Sequence, residues 1–292
     1  MHPRNRFAAA YDLDALQRVE PGLAAYRTTT PAGAPTLDFA SAEAVRLLNK
    51  ALLSSAYGIE FWDLPPGSLC PAVPGRLEYV HLLADLLAEH PPRAAGDDGP
   101  AYGLDLGTGA SLIYPVLAVR EYGWRMVGTD IDDEALRCAG AVASFNPALR
   151  GRIELRRQRQ PGRLFAGVVT AGEYFDFSMC NPPFFASAAA AEADARRKAR
   201  KLHGADADVA TRNFGGRPTE LWTSGGEPAF LKRMIAGSAR YHAQVGWFTT
   251  LVSKRAYLRD AHRQLARTKA RDIHVRTFAT GHKQHQVIAW RY

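Results

Sequence analysis

The 292-residue sequence holds three scattered cysteines, Cys70, Cys138 and Cys180, and no CxxC spacing. So sparse and odd a count excludes a disulfide framework and a cysteine-ligated structural zinc, and points to a reducing compartment, the cytoplasm. Histidine is spread as thinly. None of the nine falls in an H-E-x-x-H arrangement, so no metal is expected. His81, in an apolar stretch, reads as a packed core residue. No run of 18 apolar residues occurs, which excludes a membrane-spanning helix. The basic start Met1-His2-Pro3-Arg4-Asn5-Arg6 lacks the apolar segment that a signal peptide needs.

What is present fits a globular protein: 47% of residues are hydrophobic and 23% charged. The net charge of +8 and pI near 9.5 suggest an anionic partner, nucleic acid first, without naming one. Residues 1 to about 35 show little periodicity and read as partly irregular or mobile. Helical spacing follows from Ser41 and over Leu77 to Leu87. The stretch from Ala94 to Pro100 is the best boundary, dividing an N-terminal extension (1–95) from a second domain (96–292).

Beyond that boundary strands and helices alternate as in a doubly wound α/β sheet. Strands are expected at Tyr102–Leu106, Arg125–Thr129, Ile153–Leu155, Tyr174–Cys180 and Val245–Val252. A closing antiparallel pair, Ile273–Phe278 and Gln286–Trp290, turns around Gly281 and makes seven.

Two places carry chemistry. The first is Asp105-Leu106-Gly107-Thr108-Gly109-Ala110-Ser111, where the first of these strands turns into a helix. Its glycines let a ligand approach the backbone at exposed helix-terminal amides. The third glycine of a dinucleotide fingerprint is missing. A short G-x-G turn suits S-adenosylmethionine, which has no pyrophosphate to cradle. Gly107, Thr108, Gly109 and Ser111 are therefore candidate cofactor contacts, with Asp105 before them and Asp130, at the end of the next strand, as acceptor for ribose hydroxyls. The plainer readings are a turn made for tight packing and an aspartate that caps the following helix.

The second is Asn181-Pro182-Pro183-Phe184, directly after an apolar strand. An exocyclic amine of adenine is a poor nucleophile because its lone pair is delocalised into the ring. The Asn181 side-chain carbonyl and the Pro182 main-chain carbonyl together accept both amine hydrogens and aim the nitrogen at a methyl donor. Pro182 and Pro183 stiffen the turn and remove competing donors. Phe184 offers a face on which a flipped base stacks, worth about 1–3 kcal/mol.

Two basic segments flank this turn. One runs Arg150, Arg152, Arg156, Arg157, Arg159 and Arg163; the other is Arg196-Arg197-Lys198-Ala199-Arg200-Lys201. Charge runs are usually solvated faces, but here their position favours RNA phosphate contacts, with Arg196, Arg197, Lys198, Arg200 and Lys201 as candidates. Residues 213–227 read as either a substrate lid or an ordinary loop.

The chain also resembles a family, the RlmF-type bacterial 23S rRNA adenine-N6 methyltransferases, related to methyltransferase-like enzymes that act on U6 snRNA. The likeness is carried across essentially the whole length by Met1–Arg6, Val73-Pro74-Gly75-Arg76, Asp105–Ala110, Glu121-Tyr122-Gly123-Trp124, Asn181–Phe184, Glu220-Leu221-Trp222, Gly225-Gly226-Glu227, Leu251-Val252-Ser253-Lys254 and Gly281-His282-Lys283-Gln284. It implies a Rossmann-like class I methyltransferase with an N-terminal helical extension. It implies further that Arg76 reaches the methionine carboxylate of S-adenosylmethionine and that Arg4 and Arg6 help to bind RNA. The implied partner is 23S rRNA or a large-subunit assembly intermediate, met by a monomer. The sequence departs from the family in the alanine-rich stretch Ala186–Ala195 and in Thr223-Ser224. The rival readings are an adenine-N6 methyltransferase acting on another structured RNA and, behind it, a release-factor glutamine methyltransferase, whose related motif usually ends in Tyr and gives no reason for arginine flanks. A non-catalytic RNA-binding protein would not need the intact Asp105, Gly107, Gly109, Asp130 and Asn181.

Overall fold

The computed structural model describes residues 1–92, 99–203, 216–280 and 283–292, without the side chains of 195, 198–203, 219 and 283. The expected boundary near 94–100 falls mostly, and the turn at Gly281 wholly, outside the described residues.

The first 35 residues are irregular only in part: residues 1–12 hold no helix or strand, and short elements follow. Helix α1 (Leu13–Val19) is followed by a 3-10 turn and a small antiparallel pair, β1 (Arg27–Thr29) and β2 (Pro35–Leu37). These elements are too short to show periodicity, and single buried anchors hold them: Phe7, Leu16, Leu23 and Leu37. Ahead of α1, the His2 amide donates to both oxygens of Glu78 at 2.9 and 2.8 Å, and the Asn5 side chain donates to the Pro74 carbonyl at 3.0 Å.

Helix α2 (Ala42–Tyr57) starts under the Ser41 cap, whose hydroxyl accepts from the Ala44 amide, and stops at Gly58 in the left-handed conformation. Helix α3 (Val73–Glu89) begins four residues before the expected Leu77. Pro74-Gly75 reads as a breaker in the sequence, yet proline is well suited to a first turn, where its missing N–H would have no partner. The earlier start puts Arg76 on a helix.

The second part alternates strand and helix: β3 (Tyr102–Leu106), α4 (Ile113–Tyr122), β4 (Arg125–Asp130), α5 (Asp133–Phe145), β5 (Ile153–Arg157) and β6 (Phe175–Cys180). It continues with α6 (Ala188–His203), α7 (Pro218–Leu221), α8 (Gly226–Ser238), β7 (Val245–Val252), α9 (Arg255–Arg267), β8 (Arg271–Thr280) and β9 (Lys283–Arg291). The seven long strands form one sheet in the order β5-β4-β3-β6-β7-β9-β8, parallel except where β9 pairs with β7 and β8. Order reverses on either side of β3, so a crevice opens there beyond the strand ends.

The two faces of the sheet bury separate clusters. Along β7, Trp247 and Leu251 join the N-terminal helices and α4, while Phe248 and Val252 face α8 and α9, as the period of two requires. The first cluster is continuous from Phe7 through Leu52 and Leu77 to Met179, so the N-terminal extension shares a core with the sheet.

At Gly103 that core has no room. An added Cβ would lie 2.3 Å from Phe177 Cζ and 2.7 Å from Met126 Sδ, and Phe177 is itself fully buried against Trp124. Gly103→Ala is expected to cost about 1–3 kcal/mol, read as a drop of several degrees in the calorimetric melting midpoint. An unchanged midpoint would show that the ring yields.

Candidate active site

The turn from β3 to α4 is held by backbone conformations that most residues avoid. Gly107 and Gly109 adopt φ of 78° and 64°, and Leu112, fully buried at the mouth of α4, adopts 50°. The leucine costs about 1–2 kcal/mol there. What holds it is a clamp from the N-terminal region: the buried Trp62 indole donates to the Ser111 carbonyl at 2.9 Å. The clamp loop is tied down in turn by Asn146, which accepts the Glu60 and Phe61 amides and donates to the Phe61 and Val142 carbonyls.

Asp130 sits where the sequence places it, but its carboxylate already serves the backbone. One oxygen accepts the Gly109 amide and the other the Asp132 amide, each at 2.9 Å. It does not cap α5. Asp132 does, accepting from Glu134 and Ala135. Asp130 still lines the cavity described next, and a carboxylate oxygen accepts more than one hydrogen bond.

A cavity of about 370 Å³ opens over the strand ends. It brings together Arg76, Gly107, Thr108, Gly109, Ser111 and Asp130 with Asn181 and Pro183. Asp105 lies fully buried beneath it. Pro182 is buried and Phe184 is 37% exposed, open to a partner from solvent. Four buried polar atoms here have no hydrogen-bond partner within the chain: both carboxylate oxygens of Asp105, the Thr108 hydroxyl and the Asn181 side-chain oxygen. Buried polar groups are rarely left so. Their concentration at one cavity fits a ligand with several donors, and the volume lies in the range of small-molecule sites, about 300–1,000 Å³.

Burial, with the nearby Asp130 carboxylate, pushes the Asp105 carboxyl up to about 7, against the pull of the neighbouring Thr108 side chain and of Arg76 toward the charged form. Asp130 is raised by burial too. A carboxyl whose folded value exceeds its unfolded one contributes stability that is complete below about pH 4 and lost as pH rises through about 7. Asp105 is therefore expected to lower the thermal stability of the ligand-free protein between those limits, and Asp105→Asn to remove that part of the slope. Identical slopes in wild type and variant would show that Asp105 titrates as an ordinary carboxylate.

Sequence reasoning reached the far wall only as part of a possible lid, without assigning residues to the site. Segment 218–224 contributes Pro218, Glu220, Trp222, Thr223 and Ser224. Glu220 accepts the Leu69 and Arg217 amides at 2.9 and 2.8 Å, and burial raises its pKa. The Phe185 amide donates to the Leu221 carbonyl and the Thr223 amide to the Phe185 carbonyl, which fixes Trp222 beside the Asn181 turn. In the sequence this wall shows as Glu220-Leu221-Trp222 among the family-like segments and as part of the possible lid at 213–227. Of the possible lid at 213–227, residues 213–215 lie outside the described residues. Another pair of those segments meets nearby: buried Glu227 accepts the Ser253 amide at 2.7 Å.

The candidate RNA contacts lie away from this cavity. Arg4 pairs with Asp85 and stacks over Tyr122; Arg6 grips Glu121 with two hydrogen bonds, at 2.8 and 3.1 Å, and stacks over Tyr57. Both keep exposed surface. Arg196 and Arg197 are exposed on α6, Arg197 paired with Asp194. Lys198, Arg200 and Lys201 lie on the same helix, their side chains outside the described residues. In the other basic segment, Arg156 is held by Glu154 and Glu173 and Arg157 by Asp133. Those two arginines have structural partners, while Arg150, Arg152, Arg159 and Arg163 are exposed.

A cavity over the reversal point of a sheet in this order, floored by a G-x-G turn and rimmed by an Asn-Pro-Pro turn, places the protein among the Rossmann-like class I methyltransferases. Within that class, a family model described as RNA methyltransferase matches residues 1–292, and the chain belongs to this family. It is 49% identical to the ribosomal RNA large subunit methyltransferase F of Cronobacter sakazakii over 296 residues, covering 100% of this chain and 93% of that protein. Identity to the protein of the same name from Salmonella agona is 47% over 292 residues, with the same coverage. Among solved structures, the METTL16 catalytic domain in complex with MAT2A 3′UTR hairpin 6 superposes with a TM-score of 0.82 at 29% identity, covering 100% of this chain and 96% of that one. The N-terminal domain of human METTL16 in complex with SAH gives 0.77 at 26%, covering 100% and 98%.

Proposed function

We propose that this RNA methyltransferase transfers a methyl group from S-adenosylmethionine to the exocyclic amine of one adenine in large-subunit rRNA. The observation that carries the reading is the Asn181 side-chain oxygen, buried and without a partner, at the rim of a cavity floored by Gly107–Gly109. The large-subunit RNA is favoured by the relatives at 47–49% identity, and the cofactor by the SAH-bound neighbour.

When bound, S-adenosylmethionine supplies a methyl group on a sulfonium, an electrophile that needs no further activation. The protein's part is positioning and electrostatics. Arg76 holds the carboxylate end of the cofactor from α3. Asp105, with two free acceptor oxygens, takes its ammonium or hydroxyl donors. Thr108 and Ser111 line its path, and Asp130 accepts from the ribose while keeping the Gly109 turn closed. On the acceptor side, Asn181 and Pro182 take the two amine hydrogens and turn the nitrogen lone pair toward the methyl group. Pro183 keeps the turn rigid. Phe184 stacks on the base.

Residues 1–95 act as a cap on the domain formed by 96–292, bringing Arg76 and the Trp62 clamp to the cofactor turn. Arg4, Arg6 and the exposed face of α6 at Arg196, Arg197, Lys198, Arg200 and Lys201 carry the RNA outside the cavity. In bacteria such a substrate places the enzyme in the cytoplasm.

The decisive experiment is mass-spectrometric mapping of N6-methyladenosine in 23S rRNA from a strain lacking this gene, with and without complementation. One adenine is expected to lose its methyl group in the deletion strain and regain it on complementation. An unaltered rRNA map would overturn the substrate.

A further inference from the structure

Beside the reaction cavity lies a second one of about 300 Å³, and Leu164 and Arg233 line both. Two elements build it. The loop after β5 supplies Arg163 and Phe165, and the second half of α8 with the turn beyond it supplies Arg233, Gly237, Arg240 and Tyr241. The positions 233, 237 and 240 recur at helical spacing and face one way. The elements pack closely: an added Cβ at Gly237 would touch Phe165 at 3.4 Å, and the Phe165 and Tyr241 rings lie 5.6 Å apart. The concavity is thus a product of backbone packing, floored by aromatic rings.

Three arginines line it and no acidic residue does. Among the described residues, none of Arg163, Arg233 and Arg240 forms an ion pair, although Arg156 and Arg157 nearby are each paired with a carboxylate. Arg233 is held at the boundary of the two cavities by hydrogen bonds to the Thr223 hydroxyl at 2.9 Å and the Ser224 carbonyl at 3.3 Å. Three cations gathered at one concavity repel one another, and an anion would relieve that repulsion.

We propose that this second cavity is a phosphate subsite for the RNA strand that carries the target adenine. Arg163 and Arg240 hold a backbone phosphate next to the flipped nucleotide, and Arg233 spans that phosphate and the base. A nucleotide swung out of its strand brings its own phosphates to the mouth of the base pocket. A cationic cavity sharing a wall with that pocket is where one of them arrives, with the half-buried Tyr241 in its lining to meet the neighbouring ribose or base. The inference rests on the RNA reading above and adds to it a site, a ligand group and three residues.

The test uses an Arg163→Gln/Arg240→Gln double variant of the full chain with a 23S rRNA transcript. Both side chains are exposed, so the fold is expected to persist, checked by unchanged affinity for S-adenosylhomocysteine. Wild type must first methylate the transcript or a large-subunit assembly intermediate from a strain lacking the gene; if it methylates neither, the RNA reading fails and the subsite with it. With wild type active, the double variant is expected to bind RNA roughly tenfold more weakly, with a matching rise in KM for RNA. The slope of log K against log salt should fall by about 0.7 for each single-strand phosphate that is no longer neutralised. A neutral methylphosphonate beside the methylated adenine should reproduce that weakening in wild type and add nothing in the double variant. Unchanged RNA affinity and salt slope in an active, folded variant would overturn the subsite. So would an equal loss of S-adenosylhomocysteine binding, which would assign these arginines to the fold.

Discussion

Asn181→Ala is expected to abolish methyl transfer, lowering kcat on the order of 10²–10³-fold, the effect of removing one preorganised polar group from a reacting centre. Affinity for the cofactor should stay within about twofold, a few tenths of a kcal/mol. The two effects separate because, in this reading, Asn181, the residue directly after β6, meets the acceptor amine, while Arg76 and the β3–α4 turn meet the cofactor. Its side-chain oxygen has no partner in the chain, so removing it breaks no internal hydrogen bond of that atom. Calorimetry with S-adenosylhomocysteine and single-turnover methylation read the two quantities independently. If both fall together, Asn181 shapes the cavity and is not the acceptor of the amine hydrogens.

The complementary change, Arg76→Ala, is expected to weaken cofactor binding by about 10–100-fold, the 1.5–3 kcal/mol of a charge-assisted hydrogen bond. At saturating cofactor kcat should recover, which separates this variant from the first. Arg76 is half-buried in the first turn of α3 and donates to the Tyr114 hydroxyl at 3.3 Å, a long bond that leaves the guanidinium free for a ligand. It also favours the charged form of Asp105, so its loss should raise the Asp105 carboxyl further and shift the pH dependence of cofactor binding upward. Unaltered affinity would remove Arg76 from the site.

The sheet was legible in the sequence because its strands are buried on both faces and read as short apolar runs between turn residues. Tyr102–Leu106 and Val245–Val252 fall where the pattern puts them. The Gly-rich turn and the Asn-Pro-Pro-Phe turn were equally plain, since few residue types satisfy such backbones. The N-terminal elements were hidden: each is one or two turns long and secured by one buried side chain, a scale at which periodicity carries no signal. The far wall of the cavity showed only as part of a possible lid, for another reason. Glu220 and Trp222 matter through the Phe185–Thr223 bridge, which is set by tertiary packing. The arginines of the third strand illustrate the limit of charge counting. Arg156 and Arg163 look alike in sequence, yet one is matched by Glu154 and Glu173 and the other faces an open cavity.

Strand β9 lies between β7 and β8, so residues 283–291 occupy an interior place in the sheet. During synthesis β7, with Trp247 and Phe248 wholly buried in the finished protein, must wait with an open edge until those residues emerge. A chain cut short before Lys283 would strand β8 without its neighbour and leave β7 as a long, apolar, unpaired edge, a template for aggregation. The order of the sheet thus sets a schedule: the turns at Gly107 and Asn181 are made before β9 emerges, and the sheet beneath them closes only once it does.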